Sequence, residues 1–347
     1  MPRAQATDEA TMIPENRTPN QIPETTKAAT FRRYGLPHVV EVVDRDLPDL
    51  GPGDVLVRVA AAALNPLDVH LMTGTPWLVR PQAGLRAPKD GRIGVDFAGE
   101  VLATGDTDGK LRPGDEVMGV AQGTCAQYAI ADVGRITPKP ADVDWHQAAS
   151  VGVAGVTALQ GLRDKAKLQA GQSVLINGAS GGVGTAAIQI AKDLGAHVTA
   201  VCSGRNIEMV TRLGADVAID YTTTDFVDTS RTYDVFFDNQ GNKPIGACKR
   251  LVASGGTYLL VGGPKRNRVW GPVGRMIATL GRFTISGKKA KMFVASENGA
   301  DIALLAEMMA SGRLHMPIDS VYPLTEIEEA LDHLSEGHAA GKVIVEP

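Results

Sequence analysis

Residues 173–195 read SVLINGASGGVGTAAIQIAKDLG. Val174, Leu175 and Ile176 form a short apolar run, glycines follow at 178, 181, 182 and 184, and Ala187, Ile188, Ala191 and Leu194 recur at helical spacing. The order is strand, tight turn, helix. A helix N-terminus offers its N–H groups to an anion only when the turn before it carries no bulky Cβ. Ala179, Gly181 and Gly184 hold the three small positions of a G-x-G-x-x-G pattern, with Ala in the first, and Ser180, Gly182 and Val183 complete the turn. Glycine spacing alone describes a structural turn equally well, so the context has to decide. Residues 197–203, HVTAVCS, read as a second buried strand and residues 208–213 as a second helix. The turn therefore sits inside a βαβ unit, the setting in which this pattern holds a dinucleotide diphosphate.

At 347 residues the chain is long enough for two domains. Its 35 Lys and Arg against 39 Asp and Glu leave a net charge of -4, which provides no broad basic surface for nucleic acid. Cys125, Cys202 and Cys248 are scattered, making neither a disulfide framework nor a zinc cluster. No apolar run approaches the roughly 20 residues of a membrane span. Residues 1–28 are polar and proline-bearing and read as a mobile tail; a cytoplasmic address is the expectation.

From residue 29 the chain is strand-like, with TFRRYG, HVVEVVDRDLP and DVLVRVAAAALNP in close succession, then residues 94–101, 114–120 and 126–130. This predicts a mostly antiparallel β body. Residues 145–162 lean helical and carry the chain to the nucleotide-binding portion. There further strands are expected at 217–220, 233–238, 256–261 and 283–286, which with intervening helices give a doubly wound parallel sheet. The last portion shows helical patterns at 302–309 and 327–334 and strand-like pieces at 320–324 and 342–345.

The segments ALNPLD (63–68), GVDFAGEV (94–101), PGDEVMG (113–119), VAGVTALQGL (153–162), NGASGGVGTAAIQIAKDLGA (177–196), GADVAIDY (214–221) and AGKVIVEP (340–347) occur in this order. Together they resemble the medium-chain dehydrogenase/reductases, within them the zinc-free quinone oxidoreductase branch, over about residues 27–347. The resemblance implies a discontinuous, GroES-like catalytic domain of residues 29–153 and 291–347 around a Rossmann domain of residues 154–290, with the nicotinamide in the cleft between them. Zinc-dependent relatives place a Cys and a His on the metal in the stretches that here carry Asn65 and Val95. Neither side chain replaces a thiolate or imidazole, there is no Cys-rich lobe, and His70 and Cys125 stand isolated, so no metal is expected.

Enzymes of this fold that use NAD usually carry an acid at the end of the second strand. Here Cys202-Ser203-Gly204-Arg205-Asn206 contains none, while Ser203 and Arg205 can bond and neutralise a 2′-phosphate. NADPH follows as the expected cofactor, and Tyr221 matches a Tyr that joins this pocket in quinone reductases. Asn239, Gly262 and Gly263 end the fourth and fifth strands at the same cleft, and Lys342 matches a Gly-Lys pair that touches cofactor in the family. Without a Lewis acid, acceptors that are already electron-poor become the plausible substrates, namely quinones and α,β-unsaturated carbonyls. Asn65 is expected to donate to the acceptor oxygen, Asp68 to order the loop, Thr157 to stand beside the nicotinamide, and His70 to deliver a proton or lie idle on the loop. Two alternatives stay open: an enoyl-thioester reductase, with residues 77–89 as a lid or basic rim, and an NADPH-binding sensor without turnover. A homodimer paired along residues 283–286 is expected from the family, and Lys288, Lys289 and Lys291 read as a solvated face.

Overall fold

The computed structural model describes residues 23–75, 80, 84–105, 109–262, 279, 281–283 and 287–347. Its strands are, in chain order, β1 (Thr25–Phe31), β2 (Val40–Asp46), β3 (Asp54–Leu64), β4 (Asp96–Thr104), β5 (Glu116–Val120), β6 (Tyr128–Asp132), β7 (Ile136–Pro138), β8 (Ser173–Asn177), β9 (His197–Cys202), β10 (Val217–Asp220), β11 (Tyr233–Asp238), β12 (Val252–Leu260), β13 (Lys289–Met292), β14 (Ile318–Pro323) and β15 (Lys342–Glu346). The architecture is α/β, as expected: one parallel sheet and one mainly antiparallel body.

The parallel sheet has the order β10-β9-β8-β11-β12-β13. Counted along the chain these are strands 3-2-1-4-5-6, so the order reverses between β8 and β11, where open sheets of this kind bind ligands. Val174 and Ile176 of β8 pack into one core and Leu175 into the core on the opposite face. That is why β8 is apolar throughout: helices cover both faces. Each of these three residues is fully buried and contributes on the order of 1.5–3 kcal/mol.

The second sheet has the order β14-β15-β3-β4-β5-β7, with β6 also paired to β3. The C-terminal strand thus returns to the N-terminal body, Val343 opposite Leu64 and Val345 opposite Ala62. One apolar cluster runs through both parts of the chain, joining Ala61, Ala98 and Met118 to Val156, Ile176 and Ile188. The link is made by the helix Gly152–Leu159 within the 145–162 segment.

Two strands depart from what the sequence suggests. β1 begins at Thr25, inside the stretch expected to be a tail through residue 28, because residues 25–28 pair with Val43 to Asp46 of β2. The sixth strand of the parallel sheet lies beyond the expected 283–286. Residues 281–283 are helical, and the sixth strand is β13, pairing Thr257 with Lys289 through Leu260 with Met292. Phe283 spends its apolar ring on the face of the sheet, stacked on Tyr258 with centroids 5.2 Å apart. The strand KAKM was hidden because an edge strand is guarded by lysines rather than announced by alternation. Nor is the lysine group merely solvated: Lys288 Nζ donates to Lys249 O and Lys291 Nζ to Lys165 O. No helix among the described residues is long and apolar enough to cross a membrane.

Candidate active site

The glycine turn closes as its sequence requires. Gly178 has φ +79°, and the N–H groups of Gly178 and Ala179 both donate to Val201 O of the adjacent strand. A Cβ on Gly184 would run into Gly178 O and Ala179 Cα, so this glycine is demanded by packing of helix on turn. Gly181 is different: a Cβ there would meet nothing nearer than Gly178 O at 3.9 Å. Its bare face opens at the N-terminus of the helix Gly182–Asp193, whose first N–H groups have no intrahelical acceptor. Ser180 and Val183 are half-buried on either side.

At one end of the turn, Ser203 and Tyr221 are neighbours, because Tyr221 N donates to Cys202 O. Asn206 Nδ2 donates to Ser203 Oγ, and Arg205 reaches over to donate to the backbone carbonyl of His338. A carboxylate that sequence reasoning missed lies beneath: Asp220, on the neighbouring strand β10. Its Oδ1 accepts from Thr222 N and Oγ1, and these bonds, with one from Gly204 N–H, hold its pKa below the usual range. It props the turn.

At the other end, fully buried Asp238 accepts from Tyr258 OH, Asn177 Nδ2, Gln240 N and Gly241 N. That bracket fixes Asn239, whose amide Nδ2 and Oδ1 are both buried with no hydrogen-bond partner. Burying an unsatisfied amide costs about 1–3 kcal/mol, a cost that a bound polar group would relieve. A Cβ on Gly262 would strike Asn239 O, which keeps that edge of the cleft low. Gly263 lies outside the described residues, as do residues 77–79 and 81–83. The bare Gly181 and the orphaned Asn239 amide, set on either side of the strand-order reversal, fit a dinucleotide.

The polar network around Asn65 follows from strand register. β15, β3 and β4 are adjacent, and at one end of all three stand Lys342, Asn65 and Asp96. Lys342 Nζ donates to Asp96 Oδ2 at 2.9 Å and to Asn65 Oδ1 at 2.7 Å; Asn65 Nδ2 donates to Asp96 Oδ2 at 3.0 Å. The amide orientation is fixed by chemistry, since a flip would turn NH₂ toward an ammonium and oxygen toward a carboxylate. Asn65 was expected to present its NH₂ to an acceptor. Here both hydrogens point inward, to Asp96 and, at 3.4 Å, to Ala63 O. Asp68 lies not in a loop but in the first turn of the helix Pro66–Thr73, where it closes a capping box with Asn65, accepting from Asn65 N at 2.8 Å, and also accepts from Gly94 N at 2.9 Å. Burial, with Asp96 close by, pushes its carboxyl up to about 6 despite those two bonds.

Asp96 extends further. Its Oδ1 accepts from Val153 N at 2.7 Å, at the start of the helix that carries Thr157 one turn on. Thr157 is half-buried. His70, in the last turn of the helix Pro66–Thr73, has Nδ1 3.0 Å from Thr75 O. Cys125 is buried close enough to Asp68 and Asp96 for both to push its thiol pKa up, beyond what burial alone does. Among the described residues no three His, Cys, Asp or Glu side chains gather as a metal site. Asp96 was visible only as part of the GVD motif; its partner lies 246 residues away, and no local spacing could reveal that.

Comparison with known proteins agrees with this picture. Residues 51–141 match the alcohol dehydrogenase GroES-like domain and residues 213–345 the zinc-binding dehydrogenase domain. A chloroplastic quinone oxidoreductase of Triphysaria versicolor is 31% identical over 90% of this chain and 94% of its own length. An NADPH-dependent alkenal/one oxidoreductase of Arabidopsis thaliana is 32% identical over 94% of this chain and 81% of its own. The solved quinone oxidoreductase of Coxiella burnetii superposes with a TM-score of 0.81 at 29% identity, covering 93% of this chain and 99% of that one.

Proposed function

The chain belongs to the medium-chain dehydrogenase/reductase superfamily, in its zinc-free quinone oxidoreductase-like branch, and from that premise we propose that it reduces quinones or α,β-unsaturated carbonyls with NADPH. The observation that carries this reading is Asn239, a buried amide with no partner, beside a glycine turn with one open face. When bound, the dihydronicotinamide supplies a hydride from its C4.

The residues divide the remaining tasks. Gly181, Gly182 and the helix behind them hold the diphosphate, Asn239 the nicotinamide end, and Ser203, Arg205 and Tyr221 the 2′-phosphate. Thr157 flanks the nicotinamide, while Asn65 and Asp68 shape the pocket wall. His70 is the proton donor of the enone reaction, its ring oriented by Thr75 O. No divalent ion is called for: the carboxylate beside Asn65 already carries an ammonium, and a conjugated acceptor spreads the incoming charge itself. Three buried thiols suit a reducing compartment such as the cytoplasm. Assembly as a homodimer along β13 fits the same reading, with sedimentation velocity as its test.

Stopped-flow oxidation of bound NADPH by 9,10-phenanthrenequinone, by an enone and by crotonyl-thioester tests the function. Fast oxidation by the first two is expected. A preference for the thioester would favour an enoyl-thioester reductase, and no oxidation by any acceptor would favour a sensor.

A further inference from the structure

Asp96 is fully buried, has no part in the hydride or proton transfer proposed above, and is bonded to three separate segments of the chain. Oδ2 accepts from Lys342 on the C-terminal strand and from Asn65 before the helix Pro66–Thr73; Oδ1 accepts from Val153 N at the start of the helix bearing Thr157. The surrounding chain has made room for this arrangement at two places. A Cβ on Gly152 would stand 2.5 Å from Asp96 Oδ1, and a Cβ on Gly182 would stand 2.8 Å from Lys342 Cδ. The lysine stem therefore lies directly on the open end of the glycine turn, next to the Gly181–Gly341 bridge between the two parts of the chain.

We propose that Asp96 is a positioning residue of the hydride-transfer site, tying the pocket wall, the nicotinamide-flanking helix and the coenzyme turn into one unit through Asn65, Val153 and Lys342. The proposal rests on the reductase reading above and adds to it the group that sets the donor–acceptor distance. A buried ion pair is a poor device for stability alone, because apolar residues of similar volume do as well or better. What it offers is direction: four hydrogen bonds of fixed geometry at the junction of three segments. Hydride transfer needs that, since a misplacement of about 1 Å costs on the order of 100-fold in rate.

The test compares Asp96→Asn with the double variant Asp96→Leu/Lys342→Met. Asp96→Asn keeps size and the acceptor for Val153 N but turns an NH₂ toward two donors. The expected result is a fall in kcat of at least ~30-fold at saturating acceptor, with NADPH dissociation, read by quenching of Trp fluorescence, weakened no more than about threefold, because the fully buried Asp96 carboxylate has both oxygens on protein donors. The double variant, neutral and well filled, should regain thermal stability while its kcat stays low at saturating NADPH. Recovery of both would make the pair a purely structural element and overturn the proposal, as would wild-type kcat in Asp96→Asn. If the wild type turned over no acceptor, that would count against the reductase reading, and the emission of bound NADPH would then decide: a blue shift present in wild type and lost in Asp96→Asn supports positioning, and one retained overturns it.

Discussion

Lys342 Nζ lies 2.9 Å from Asp96 Oδ2 with the two side chains 3% and 0% exposed, so an ammonium on the last strand and a carboxylate on β4 neutralise one another out of reach of water. The exposed pair Arg58–Glu100 on the same sheet offers the contrast, with side chains 48% and 39% exposed. Removing one partner of a buried pair strands an uncompensated charge, whereas water takes up the loss at the surface.

Lys342→Met should therefore lower the unfolding free energy by about 3–5 kcal/mol, and Arg58→Met by no more than about 1 kcal/mol. Urea denaturation of the two variants at pH 7 measures both. Equal costs would mean that the Asp96 site is wetter than its burial indicates.

Asp68 gives a pH dependence with a definite sign. Its carboxyl rises from 3.8 to about 6 in the folded chain, chiefly through burial. The folded state therefore holds its proton where the unfolded state has lost it, and the contribution is fully present below about pH 4 and lost as pH rises through about 6. Asp68→Asn has nothing to titrate there. Each tenfold difference in proton affinity between the folded and unfolded chain is worth about 1.4 kcal/mol, so the stability of wild type relative to Asp68→Asn should fall by up to roughly 3 kcal/mol from about pH 4 to about pH 7.5. Denaturation midpoints across that range give the slope, and a rise instead of a fall would contradict the assignment.

Asn239 should trade stability for binding. Its amide is buried without a partner, so Asn239→Ala relieves a desolvation cost in the coenzyme-free protein and should leave its Tm unchanged or higher. The same change should weaken NADPH by roughly 5- to 10-fold, the loss of one hydrogen-bonding group. Calorimetric titration beside a thermal melt reads both. A lower Tm with unaltered affinity would assign the residue to the fold.

Arg205 is expected to select the 2′-phosphate. In Arg205→Ala the ratio of NADPH to NADH dissociation constants should collapse by one to three kcal/mol, the range of a charged hydrogen bond. Because Arg205 also donates to His338 O, NADH affinity serves as the control for any loosening between the two parts of the chain. An unchanged ratio would leave the phosphate to other groups.

Where chemistry is local, the sequence was legible. The turn at 178–184 and the strands at 217–220 and 233–238 each depend on neighbours within a few residues, and they stand where pattern put them, whereas the stretch read as a loop at 65–68 opens the helix Pro66–Thr73. The site's polar network was not legible, because it depends on register between strands distant in sequence. Lys342 meets Asn65 only since Val343 pairs with Leu64, and Asp96 joins only since it pairs with Ala63. Motif resemblance assigns Lys342 to coenzyme and Asn65 to substrate; geometry first assigns each to the other. β13 escaped for another reason: one side of it faces no strand among the described residues, so its side chains obey protection against pairing rather than burial.

The most direct test of the whole account is the fate of the hydride in protein freed of metal by a chelator. NADPH carrying deuterium at both C4 positions should pass one deuterium per turnover to the β-carbon of an enone, at a rate unaffected by chelation. Unlabelled product, or turnover that returns only when zinc is added back, would contradict it.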